Sequence, residues 1–173
     1  WSGGHGVSGP VIDWGSEFYS DTAVRSYTEP FDLSLDLPLS PSPTETSIDS
    51  SFTMAYAMVS QDINSDGFRD VASVSITDDI VAWWESTDGS GENWIEHQIT
   101  NTVQNPLDMA LGDFNGDGHM DAVIVSSYQQ RVSWWENLDG SGVFWEEHIV
   151  KDGYYYVSSV IAEDIDQDGN LDI

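Results

Sequence analysis

The chain has 173 residues, with 31 acidic side chains against 4 basic ones and a formal net charge of −27. A surface this acidic repels nucleic acid and anionic membranes, which excludes both as expected partners. There is no cysteine, hence no disulfide or zinc–thiolate site, and no run of ~18 apolar residues that would form a transmembrane segment.

Residues 1–50 read as an irregular β and linker leader. Phe31, Leu33, Leu35 and Leu37 alternate with Asp32, Ser34 and Asp36 between Pro30 and Pro38, which is the pattern of a half-buried strand. The stretch "PLSPSPTETS" at 38–47 reads as a polar, Pro-rich linker. The leader is expected to be a degenerate repeat or capping strand; the alternative is a strand that pairs with a sheet edge of another chain. A start at Trp1, without Met or signal peptide, is what a processed or excerpted polypeptide would show.

From residue 51 onward the chain repeats. "DINSDGFRD" at 62–70, "DFNGDGHMD" at 113–121 and "DIDQDGNLD" at 164–172 start 51 residues apart each time. Each puts oxygen-bearing side chains at its first, third, fifth and ninth positions and Gly at the sixth. Carboxylates held ~4 Å apart repel by about 1 kcal/mol in water and by several times that in a less polar setting. A bound cation removes this cost. Calcium takes 6–8 oxygens at ~2.3–2.6 Å, and the glycine permits the turn that wraps the backbone round the ion. The expected ligands are Asp62, Asn64, Asp66, the Phe68 carbonyl and Asp70 in the first loop. In the second they are Asp113, Asn115, Asp117, the His119 carbonyl and Asp121, and in the third Asp164, Asp166, Asp168, the Asn170 carbonyl and Asp172. An EF-hand would need Glu at the twelfth position, where the second loop has Ile124, and helices where this chain has short β-branched flanks.

The 51-residue period extends beyond the loops. "VAWWESTDGSGENWIEHQI" at 81–99 matches "VSWWENLDGSGVFWEEHIV" at 132–150. Each unit reads as four short strands. The first, "AYAMVSQDI", "DMALGDF" or "SSVIAEDI", runs into the acidic loop. The second is "VASVSI" or "AVIVSS", the third carries the paired tryptophans, and Asp-Gly-Ser-Gly turns the chain into the fourth. The fold class is all-β, a β-propeller-type array of four-stranded antiparallel blades. The blades span about 51–101 and 102–152, with a partial one at 153–173 that holds one complete strand. Two blades and a part do not close a ring of 4–8, so the chain is expected to be part of a larger protein or of a multi-chain assembly.

These residues resemble the FG-GAP and VCBS repeats of secreted bacterial proteins, relatives of the integrin α-chain propeller. The resemblance covers residues ~51–173 and rests on D-x-[DN]-x-D-G-x-x-D in register with "WWENLDGSG". The literal Phe-Gly and Gly-Ala-Pro tetrads are absent, which makes the VCBS-type variant the closer match. The resemblance implies calcium in the loop between the first two strands, an extracellular setting, and no catalysis by the repeats.

One of Trp83 and Trp84, and one of Trp134 and Trp135, should pack between blades, since adjacent strand residues face opposite sides. His97 and His148 should be packed or hydrogen-bonded. The chain has no G-x-S-x-G, H-E-x-x-H or P-loop. The expected function is a non-catalytic, calcium-binding module, secreted or on the cell surface, that acts in adhesion, binding or assembly. Its partner would be a protein, a carbohydrate or copies of itself. The alternatives are the repeat portion of a larger secreted polysaccharide-active enzyme, or a subunit of a self-assembling surface fibre or layer.

Overall fold

A computed structural model describes residues 45–173. The expected strand at 31–37, and the linker at 38–47 up to residue 44, lie outside the described residues. Eight strands follow: β1 Ala55–Val59, β2 Val71–Ser75, β3 Ile80–Ser86, β4 Trp94–Thr100, β5 Pro106–Gly112, β6 Asp121–Ser126, β7 Arg131–Asn137 and β8 Trp145–Asp152. They form two four-stranded antiparallel sheets, β1-β2-β3-β4 and β5-β6-β7-β8, each a meander in chain order. Equivalent registers recur in the two sheets: Val71 pairs with Trp84 and Ala72 with Trp83, as Ala122 pairs with Trp135 and Val123 with Trp134.

Burial explains the composition of each strand. β6, "DAVIVS", is buried at every position, because both faces of its sheet are covered. β8 is the outer strand of its sheet and carries Glu146, Glu147 and Lys151, the charged residues that discourage edge-to-edge pairing. One core lies between the sheets, where Ile63, Val74, Val81 and Trp83 meet Met109, Leu111, Ile124 and Trp135. A second lies on the far face of the second sheet, where Val123, Val125 and Val132 are covered by Val157 and Val160.

Segment 153–173 departs from the expected complete strand. It holds no strand, only an isolated bridge between Glu163 and Asp172. β1 and β5 are each held by the strand that follows their acidic loop, and the described residues contain no such strand after the third loop.

The paired tryptophans divide between the two faces of their sheets. The Trp83 side chain is fully buried between the sheets, and its indole N–H donates to the Gly142 carbonyl at 2.8 Å. Trp84 faces the other way and meets Phe52 edge-on at 4.8 Å. In the second sheet Trp135 enters the shared core, and Trp134 stacks on His148 at 4.5 Å.

Gly142 therefore receives the neighbouring sheet. Its φ is +71°, and a Cβ there would lie 2.5 Å from Trp83 Cζ2 and 3.2 Å from Ile63 Cγ2. Gly91 has the same place in the first sheet's turn, with φ +77° and open space around it. Gly91→Ala should cost only the left-handed backbone strain, about 1–2 kcal/mol. Gly142→Ala should add an overpacking cost of about 1–3 kcal/mol. Urea melts of the two variants check this; equal losses would show that the Trp83 contact does not constrain the turn.

Candidate metal centres

The first two acidic loops join β1 to β2 and β5 to β6, so a sheet holds both of their ends, while the third is closed by the bridge between Glu163 and Asp172. The first position organises the turn. Asp62 accepts from the backbone N–H groups of Asp66 (3.1 Å) and Gly67 (2.9 Å). Asp113 accepts from those of Asp117 (3.1 Å) and Gly118 (2.8 Å), and Asp164 from those of Asp168 (3.1 Å) and Gly169 (3.0 Å). At the third position Asn64, Asn115 and Asp166 each accept from the backbone of the fifth residue, at 3.2, 2.9 and 3.2 Å. At the fifth position Asp66, Asp117 and Asp168 accept from the seventh residue's N–H, at 2.8 Å in all three loops. All three loops thus close on one hydrogen-bond pattern.

The ninth position behaves differently. Asp70 and Asp121 are fully buried. Asp70 accepts from Ile63 N (2.8 Å) on one oxygen and from Ser86 N (2.9 Å), at the end of β3, on the other. Asp121 accepts from Phe114 N (3.2 Å) and from Asn137 N (2.9 Å), at the end of β7. Burial pushes both carboxyls up from the usual range, and the backbone donors pull them back. These residues tie loop to sheet. Asp172 accepts from Ile165 N (3.0 Å) and is exposed; among the described residues no strand N–H takes the place that Ser86 N and Asn137 N have in the other loops.

The arrangement of oxygens suits a cation. Ligand atoms of Asp164, Asp166 and Asp172 lie within 4.8 Å of one another. Two ligands at ~2.3–2.6 Å from a shared ion can be at most about 5 Å apart, so this spacing is within reach of one calcium. An all-oxygen donor set favours a hard cation over zinc or copper. The acids of the other two loops are not gathered into such a trio. There the ninth carboxylate is drawn into the sheet, and an Asn replaces the third-position acid: Asn64 reaches Asp66 Oδ2 at 3.2 Å and Asn115 reaches Asp117 Oδ2 at 2.9 Å. At exposed Asp117 the backbone N–H of His119 holds the carboxyl below its usual range.

Several side chains bear on the loops in ways that the loop pattern itself does not show. The seventh-position side chains lie over the hairpin turn of their own repeat, Phe68 against Gly89 and His119 against Gly140. Asn137 is fully buried and accepts from Gly142 N at 2.9 Å while donating to the Met120 carbonyl at 3.2 Å. Glu136 accepts from the Asn115 amide at 3.0 Å and meets His148 Nε2 at 2.8 Å. Glu146 joins Glu136 and His148 in a second acid-rich cluster. The pair Glu85 and His97 repeats the 2.8 Å contact in the first sheet, with His97 stacked on Trp83 at 4.5 Å, so Glu–His pairing is part of the repeat's outer strand pair. Both histidines are thus packed and hydrogen-bonded, as expected.

No helix among the described residues is long and apolar enough to cross a membrane. No curated protein matches the chain. A family profile described as FG-GAP-like repeat matches twice, over residues 62–124 and 113–173. Each match opens on the first aspartate of an acidic loop and runs through the sheet strands to the next loop. The matches together cover more than half of the sequence, and the chain belongs to the FG-GAP-like repeat family.

Proposed function

We propose that the chain is a non-catalytic, calcium-stabilised β-propeller module of an extracellular or cell-surface protein, presenting a surface for adhesion, binding or assembly. The observation that carries this reading is the common closure of three oxygen-rich loops on one hydrogen-bond pattern. Asp62, Asn64, Asp66 and Asp70 would hold one ion, Asp113, Asn115, Asp117 and Asp121 a second, and Asp164, Asp166, Asp168 and Asp172 a third. The carbonyls of Phe68, His119 and Asn170 would complete the shells. Bound calcium supplies charge neutralisation and a fixed loop shape; the chain's own residues supply the turn and its anchorage. An extracellular setting agrees with a ligand set of the kind that binds at ~10⁻⁴–10⁻³ M, where calcium is abundant.

Stacked sheets support the propeller reading. β5 packs against β1 and β2, so the sheets meet through their first strands, as propeller blades do. Exposed apolar side chains at both ends of the array, Met54, Tyr56 and Met58 on one side and Tyr155, Ile161 and Ile173 on the other, suit further β-structure or a partner.

Calorimetric titration should give three sites per chain for calcium and much weaker binding of magnesium, which demands near-octahedral geometry at ~2.0–2.1 Å. Absence of any calcium heat or ordering in the millimolar range would remove the basis of this function.

A further inference from the structure

Of the chain's asparagines, Asn115 alone is followed by glycine. In an Asn-Gly pair the glycine nitrogen can attack the asparagine side-chain Cγ, because no Cβ obstructs the approach. A C–N bond forms to give a succinimide ring, the amide C–N bond breaks, and ammonia leaves with the proton that the glycine N–H gives up. Water then opens the ring to aspartate or isoaspartate. No oxidant or other reactant is needed.

In the folded loop every group this step requires is engaged. The Gly116 N–H donates to Asp113 Oδ1 at 2.7 Å. The Asn115 side-chain oxygen accepts from Asp117 N at 2.9 Å, and its amide donates to Asp117 Oδ2 at 2.9 Å and to Glu136 Oε1 at 3.0 Å. Gly116 N can turn onto Asn115 Cγ only after these bonds break. The exposed position of both residues leaves water free to complete the reaction once the loop opens.

We propose that Asn115–Gly116 is a latent self-modification site, gated by closure of the second loop. The gating by calcium rests on the calcium reading above; the gating by the fold does not. The other loops lack the site: Asn64 is followed by Ser65, and the third loop has Asp166 before Gln167. Conversion to aspartate would give the second loop the same four acids as the third. It would also remove the two amide donors and set a carboxylate beside Glu136, so the modified loop depends more on a cation. Isoaspartate inserts a methylene into the main chain and breaks the turn. A molecule that loses its ion for long would thus be marked irreversibly at one loop.

The test is peptide mapping by mass spectrometry of the whole chain, aged at neutral pH in calcium, in EDTA and in urea. Asn115 should convert fastest in urea, slower in the folded chain, and about tenfold slower again in calcium at ~10 times Kd, because mass action suppresses opening by that factor. Asn115→Gln, which cannot form the succinimide, should show no conversion there. Equal rates in urea and in folded protein, or Asn64 converting as fast as Asn115, would overturn the proposal. Protection by folding without a further effect of calcium would uphold the gated site and count against the calcium reading alone.

Discussion

Chelation with EDTA is expected to lower the melting midpoint of the repeat array by roughly 10–20 °C and to open it to proteolysis. The size follows from mass action. At ~10-fold excess over a Kd of ~10⁻⁴–10⁻³ M, one site adds about 1.4 kcal/mol, and three add roughly 4 kcal/mol. A domain is held together by only ~5–15 kcal/mol, so this share is large. The loss should be cooperative, because the loops are not independent of the core: Ile63 of the first loop lies in the core between the sheets, and Leu171 of the third would touch a Cβ at Gly112 on β5. Circular dichroism melts with and without EDTA check it. A midpoint and a protease digestion pattern indifferent to EDTA would leave the loops as acidic turns without a structural ion.

What could be read from the sequence was whatever a repeat makes redundant. Two copies of the paired-tryptophan strand and the Asp-Gly-Ser-Gly turn located β3, β4, β7 and β8 to within a few residues. The acidic loops lay where the first and second strands must join. What could not be read depends on contacts between distant residues. Nothing in "DFNGDGHMD" distinguishes Asp121 from Asp117 as a carboxylate. The difference arises because β7 ends with Asn137 pointing its backbone N–H at Asp121 and not at Asp117. The same holds for Gly142, whose need for a bare Cα comes from Trp83 on the other sheet. The repeat alignment offered one hint: Asn137 and Ser86 both follow Trp-Trp-Glu, but their roles become visible only when the sheet is closed. The same pattern predicts one complete strand within the partial blade at 153–173, and it cannot say that β1 and β5 owe their strand geometry to the strands paired with them.

Comparing Asp121→Ala with Asp117→Ala separates a ligand position that also anchors the loop to the sheet from one that does not, and the first change is expected to be the larger. Asp121 is wholly buried, and each of its oxygens takes one backbone N–H, from Phe114 and from Asn137. Truncation leaves both donors without an acceptor at a cost of about 1–3 kcal/mol each. Part of this is returned because the buried charge, which burial already penalises, is gone. A net loss of about 2–5 kcal/mol remains, and it should persist in EDTA, since neither hydrogen bond involves a cation. Asp117 is exposed, and within the chain its carboxylate accepts chiefly from the His119 backbone and the Asn115 amide. Its truncation should cost about 1.4 kcal/mol or more in calcium, the contribution of one site, and almost nothing in EDTA, where it also relieves repulsion from Asp113. Urea melts of both variants in the two buffers give four stabilities. If Asp121→Ala loses its effect on chelation, the ninth carboxylate acts through the ion and not through the sheet. If Asp117→Ala is as harmful in EDTA as in calcium, the fifth carboxylate is part of the fold, and the second loop does not depend on an ion for its shape.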